Sequence, residues 1–135
     1  MICSVDLSKP AEESLAYVLH QDKELGMRIL GQLKHRLPYD PYPDIDDEQD
    51  IFHSEIVTSL QKESIDVHRL KSREFSNHRV FYIVDDDEHK IYVLEIVQRT
   101  AKTYDISTPH MERIKGLYIR YYVTKQMKGG RQWVL

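Results

Sequence analysis

The stretch NHRVFYIVDDDEHKIYVLEIVQRTAKTYD, Asn77 to Asp105, limits what this chain can become more than any other segment. Two runs rich in Val, Ile, Tyr and Phe flank a polar break, the pattern of a β-hairpin. Burying Asp85, Asp86, Asp87 and Glu88 together would carry a heavy desolvation cost, so the spacing predicts that they form a solvated turn. The hairpin also carries Arg79 and Arg99, with Tyr104 five residues further on. Two guanidinium groups and a phenol on one hairpin make an anion site the question for the rest of the chain.

Upstream, ICSVDL (residues 2–7) is short and weakly alternating, as a first strand would be. Ser8 caps a helix with Pro10 in its first turn, and Ala11, Leu15, Val18 and Leu19 share one face. Asp22 caps a second helix, where Leu25, Ile29, Leu33 and Leu37 recur at helical spacing until Pro38 ends it. Two helices joined so tightly form an antiparallel hairpin.

PYDPYPDIDDEQD, with three prolines and many acids, predicts a surface loop. Phe52, Ile56, Val57 and Leu60 then repeat as on a short helix, and residues 64–71 alternate as a strand leading into the hairpin. Beyond it, Thr108 and Pro109 start a last helix carrying Met111, Ile114, Tyr118, Tyr121 and Tyr122 on one side and stopping at Gly129-Gly130. The expectation is one α+β domain over residues 1–135. It has an N-terminal strand, a two-helix hairpin, a mostly antiparallel sheet of about four strands with one face at least partly open, and a C-terminal helix. An acidic insertion spans about residues 39–63 and a C-terminal helical extension about residues 106–135.

Composition narrows the partners. With 41% hydrophobic and 30% charged residues the chain reads as an ordinary water-soluble domain. It has no apolar run near the roughly 20 residues of a membrane span, and its N-terminus lacks a basic region and apolar core, which favours the cytoplasm. Cys3 is the single cysteine, so an intramolecular disulfide and a cysteine-based zinc site are both excluded, and Cys3 is expected to be a small hydrophobe in the first strand. The net charge of −3 argues against indiscriminate nucleic-acid binding. Its distribution is uneven, because six of the 22 acids lie between Asp40 and Asp50, leaving 19 bases against 16 acids elsewhere.

The run VHRLKSREFSNHRVFYIVDDDEHKIYVLEIVQRTAKTY resembles the C-terminal core of the RelE/ParE toxin superfamily of type II toxin–antitoxin systems. The corresponding features are Leu70-Lys71, the NHRVFY strand, the acidic turn, YVLEIVQR ending in a base, and Tyr104; the preceding strand and helical hairpin follow the same order. In RNA-cleaving members the resemblance implies metal- and cofactor-free chemistry. A ribose 2′-hydroxyl attacks the adjacent phosphate while basic groups neutralise the phosphoryl oxygens and a Tyr, His or Glu moves protons. It implies catalytic roles for Arg79, Arg99 and Tyr104, a substrate contact for Lys71, and His78 or His68 as proton movers. Arginine suits the role because its charge is permanent and its fork grips two phosphate oxygens. The structural alternative for Arg79 and Arg99 is pairing with Glu95 or Glu74, and for the tyrosines it is packing.

Two functions follow from the resemblance: a toxin that cleaves mRNA on the ribosome and is silenced by a cognate antitoxin, or a non-catalytic protein of the same fold that binds a topoisomerase or another protein. The acidic balance and Glu74 motivate the second. A metal-dependent nuclease using Asp85–Asp87 and Glu95 is disfavoured because Val97 stands where a lysine is commonly placed. The basic last helix, residues 108–128, suits an acidic amphipathic partner segment. The rival arrangements are the chain's own Asp40–Asp50 stretch folding back on that helix, or docking on a second copy as a homodimer.

Overall fold

The computed structural model describes residues 2–99 and 109–128. Strand β1 (Ser4–Leu7) leads directly into helix α1 (Lys9–Gln21), because Ser8 accepts a hydrogen bond from the Ala11 N–H and so caps the helix while its own N–H binds Val93. Asp22 ends α1 and caps α2 (Lys23–His35) through the Leu25 N–H. One residue therefore makes the whole turn of the helical hairpin. The two helices approach closely at Gly26, where an added Cβ would lie 2.8 Å from the Leu19 Cα.

A 3-10 turn at Leu37–Tyr39 brings the chain to β2 (Asp44–Asp46) and β3 (Ile51–Ile56), followed by the single helical turn α3 (Thr58–Gln61). Strand β4 (His68–Ser72), a 3-10 turn at Arg73–Phe75, and the hairpin β5 (His78–Asp85) and β6 (Lys90–Gln98) complete the sheet, and α4 (Pro109–Lys128) closes the fold. The sheet has six strands in the order β1-β6-β5-β4-β3-β2, with β1 parallel to β6 and every other pair antiparallel.

The α+β class, the helical hairpin and the mostly antiparallel sheet agree with expectation; the strand count of about four does not. Two of the six strands lie in the segment read as loop and helix. Ile51–Ile56 puts Phe52 wholly inside, and β2 and β4 hydrogen-bond it on both sides, so pairing overrides a spacing that also fits a helix. The sheet face expected to be at least partly open is covered by α4 over only part of its extent. One face packs Val80, Tyr82, Val93 and Ile96 beneath α1 and α2; the other packs Phe81, Ile83, Leu94 and Val67 beneath Met111 and Ile114 of α4. Cys3 is half-buried against the first of these cores.

Candidate functional site

The pairing of the hairpin decides which charges can meet. Arg79 lies opposite Val97, and the Arg99 N–H continues the ladder to the Asn77 carbonyl, so alternation places Arg79 and Arg99 on the same face. Lys71 and Arg79 extend the Leu70–Val80 register by one step onto that face as well. Adjacent strands lie about 4.8 Å apart, so the three cations span about 10 Å across β4, β5 and β6. This is the face that α4 covers, but α4 buries the half carrying Phe81, Ile83 and Leu94; Lys71 and Arg79 are half-buried and Arg99 is exposed. Arg79 is held locally, its Nη1 donating to the Ser76 and His78 carbonyls at 2.9 Å each. It does not pair with Glu95.

Glu95 serves elsewhere. Phe81 faces Glu95 and Tyr82 faces Val93, so Leu94 is the extra residue of a β-bulge. Past the end of β1 this turns Glu95 to the outer edge of β6, where both helical layers reach it: Ser14 of α1 donates at 3.2 Å and Arg113 of α4 at 2.9 Å. Asp85 departs from the expected solvated turn. It is buried, and accepts hydrogen bonds from the Tyr121 hydroxyl at 2.8 Å and Lys125 Nζ at 2.9 Å. Burial pushes its carboxyl up, but these two donors and the Glu88 N–H outweigh that and hold it below the usual carboxylate range. Of the acids in the metal-nuclease alternative, Asp85 and Glu95 thus anchor α4, Asp86 accepts from the Tyr42 hydroxyl at 2.9 Å and Asp87 lies 3.6 Å from Lys125 Nζ, and among the described residues no three His, Cys, Asp or Glu side chains converge as a ligand set.

The histidines lie away from the arginines. His78 is opposite Gln98 and His68 opposite Tyr82, which puts both on the face of α1 and α2. Burial lowers the pKa of each, more than the nearby Asp66 and Asp86 raise that of His68. His68 packs between Tyr42 and Tyr82, with ring centroids 5.2 and 5.5 Å away. Neither can hand a proton to an anion held by Arg79 and Arg99 on the far side of the sheet. Tyr104 lies outside the described residues.

Sequence reasoning missed the acidic edge of the basic face. Asp44 lies opposite His53, and His53 opposite Lys71, so a single row runs from acid on β2 to base on β4 and β5. His53 Nε2 is 3.2 Å from Asp44, and Lys71 Nζ donates to Asp46 at 3.1 Å. The rest of the acidic stretch is tied down too. Asp50 receives both branches of the Arg36 guanidinium, and the Glu48 and Gln49 carbonyls receive Arg73. The stretch therefore folds back onto its own chain, its acids and carbonyls taking cations at the end of α2, in β4 and in the following turn.

No family model matches the chain, and no curated protein does. Among solved structures it is similar to the RelBE2 toxin–antitoxin complex from Mycobacterium tuberculosis, at 12% identity over 73% of this chain and 100% of that one, with a TM-score of 0.49. An overlap that loose leaves the role of this chain to its own residues.

Proposed function

We propose that this chain is a toxin-type protein of the RelE/ParE kind, one domain over residues 1–135, that grips the phosphate backbone of RNA with Lys71, Arg79 and Arg99. The observation that carries the reading is the strand register, which sets these three cations on adjacent strands at the same end of one sheet face. Guanidinium forks and an ammonium borne on neighbouring strands about 5 Å apart suit a chain of phosphates, each of which accepts charge-assisted hydrogen bonds. In the enzymatic form of the reading, the arginines stabilise charge on a phosphate attacked by the neighbouring 2′-hydroxyl, and Tyr104 is left as the proton mover, His68 and His78 being on the other face. mRNA on the ribosome is the substrate of that form, a cytoplasmic protein acts there without a cofactor, and a cognate antitoxin is the silencing partner.

A second reading keeps the fold and drops the chemistry: the same face docks a topoisomerase or another protein. The hydrogen bonds that tie Arg79 to its own turn and Lys71 to Asp46 favour it, since both cations are already engaged.

Controlled expression in a bacterial host, with and without Arg79→Ala/Arg99→Ala, separates the outcomes. Growth arrest that vanishes in the double variant, with new mRNA ends mapping to ribosomal A sites, supports the enzyme. Arrest without new ends supports protein docking, and equal arrest by the double variant removes the basic face from either role.

A further inference from the structure

The basic face ends abruptly at β2, and the residue that ends it reaches back into it. Asp46 sits on the edge strand, opposite Ile51, yet its carboxylate accepts from Lys71 Nζ at 3.1 Å, two strands away. Asp44, 90% exposed, stands beside it against His53, and Glu55 takes the Arg69 guanidinium and lies 3.8 Å from His53 Nδ1. Reading across the sheet, β6 and β5 offer Arg99 and Arg79 without a carboxylate opposite them in the register, β4 offers a lysine already held by an acid, and β2 offers only acids. The position of Asp46 is not accidental in the sense of a loose surface acid. Its strand is pinned at both ends: the Ser54 N–H binds the Pro43 carbonyl, the Asp47 N–H binds the Asp50 carbonyl, and Arg36 clamps Asp50.

We infer that Asp46 is a specificity-determining residue of the proposed anion face: it occupies Lys71 as an internal stand-in for a phosphate, so that an incoming polyanion is held chiefly at the Arg79–Arg99 end and gains Lys71 only by displacing the carboxylate. The inference rests on the reading of this face as a phosphate site. The physical reason is competition. A phosphate reaching Lys71 must displace a carboxylate already hydrogen-bonded to it, and it must then sit within about two strand spacings, roughly 10 Å, of the fixed negative charges of Asp44 and Asp46. That distance is about one screening length at 0.1 M salt, so the repulsion is felt at moderate salt and fades in concentrated salt. A phosphate at Arg99 lies four strands from β2 and escapes it.

The test is fluorescence anisotropy of a labelled single-stranded oligoribonucleotide titrated with the full chain. Asp46→Asn keeps the side-chain shape and leaves the edge strand and its backbone bonds in place, and a thermal melt reports whether it stays folded. The expected result is that D46N tightens binding about threefold at low salt and steepens the slope of log K against log salt by about 0.7, one further phosphate contact on a single strand. Lys71→Ala, expected to weaken wild-type binding less than Arg79→Ala/Arg99→Ala does, erases in the D46N background the gain made by D46N. If wild-type binding is abolished by Arg79→Ala/Arg99→Ala but D46N binds as the wild type does, the inference is overturned and the phosphate reading stands. If D46N binds tighter but Lys71→Ala leaves that gain intact, the stand-in role is overturned as well. If no variant binds the probe, the phosphate reading falls and this inference with it.

Discussion

Glu95 and Arg113 form an ion pair of 2.9 Å in which the carboxylate is 1% exposed and the guanidinium 50%. The pair bridges the bulged edge of β6 to α4, and Ser14 adds a hydrogen bond from the opposite helical layer. Arg113→Ala leaves a buried carboxylate with one neutral donor. We expect a loss of about 1–3 kcal/mol, less than for a fully buried pair because the arginine is half in water. Urea unfolding measures it. Combining the change with Glu95→Gln should recover part of the loss, because the amide leaves no buried charge unpaired.

Asp85, Tyr121 and Lys125 predict a pH window for α4 docking. The folded carboxyl of Asp85 is depressed below its unfolded value, near 4, so its contribution is complete above that pH and is lost as pH falls through the folded value. Lys125 is raised, first by its hydrogen bond to Asp85, so its contribution is complete below about pH 10.4 and is lost as pH rises through the folded value. Stability should therefore fall on both sides of a plateau between about pH 4 and 10. In Asp85→Asn the plateau should be lower and the acid-side fall shallower. Melting curves across pH check this, and an Asp85→Asn profile parallel to the wild type from pH 6 to 2 would contradict it.

The two glycines of α2 should respond in opposite directions. At Gly26 a Cβ would meet the Leu19 Cδ2 at 2.6 Å and its backbone Cα at 2.8 Å, so Gly26→Ala must push α1 and α2 apart and destabilise. At Gly31 nothing lies within 4 Å, and Gly31→Ala should stabilise by about 0.5–1 kcal/mol through helix propensity. Thermal melts of the two single variants decide it.

Phe52 is fully buried on β3 and has the Arg36 guanidinium 4.2 Å from its ring centroid. Phe52→Ala should cost about 3–5 kcal/mol in chemical denaturation.

What could be read from the sequence divides by range. Ser8, Asp22 and Pro38 act within a few residues of themselves, and the caps and ends they predict are where the chain turns. The opposite face for His78, which adjoins Arg79, follows from period two, and the proton-mover assignment overlooked that parity; the shared face of Arg79 and Arg99 needs the hairpin register as well, since without the extra residue of the bulge Arg79 would pair Ile96 and face away from Arg99. In β3 the spacing of Phe52, Ile56, Val57 and Leu60 suits a helix as well as a strand, and the choice is made by β2 and β4, which no local pattern reveals. The bulge at Leu94 has no glycine or proline to mark it. The apolar stripe of α4 was legible, whereas the sheet face it would cover, and the burial of Asp85 beneath Tyr121 and Lys125, depend on how the last helix returns to the hairpin.

If one sheet end, and not the surface at large, receives an RNA backbone, the amides that respond to RNA are those of that end. The most direct measurement is a titration of the isotope-labelled chain with a short single-stranded oligoribonucleotide, following backbone amide shifts by NMR. Movement is expected to concentrate at Lys71, Arg79, Val97 and Arg99, to weaken as salt rises and to be absent in Arg79→Ala/Arg99→Ala. Shifts confined to the outer surface of α4 or to the α1–α2 layer, with those four amides unmoved, would contradict it.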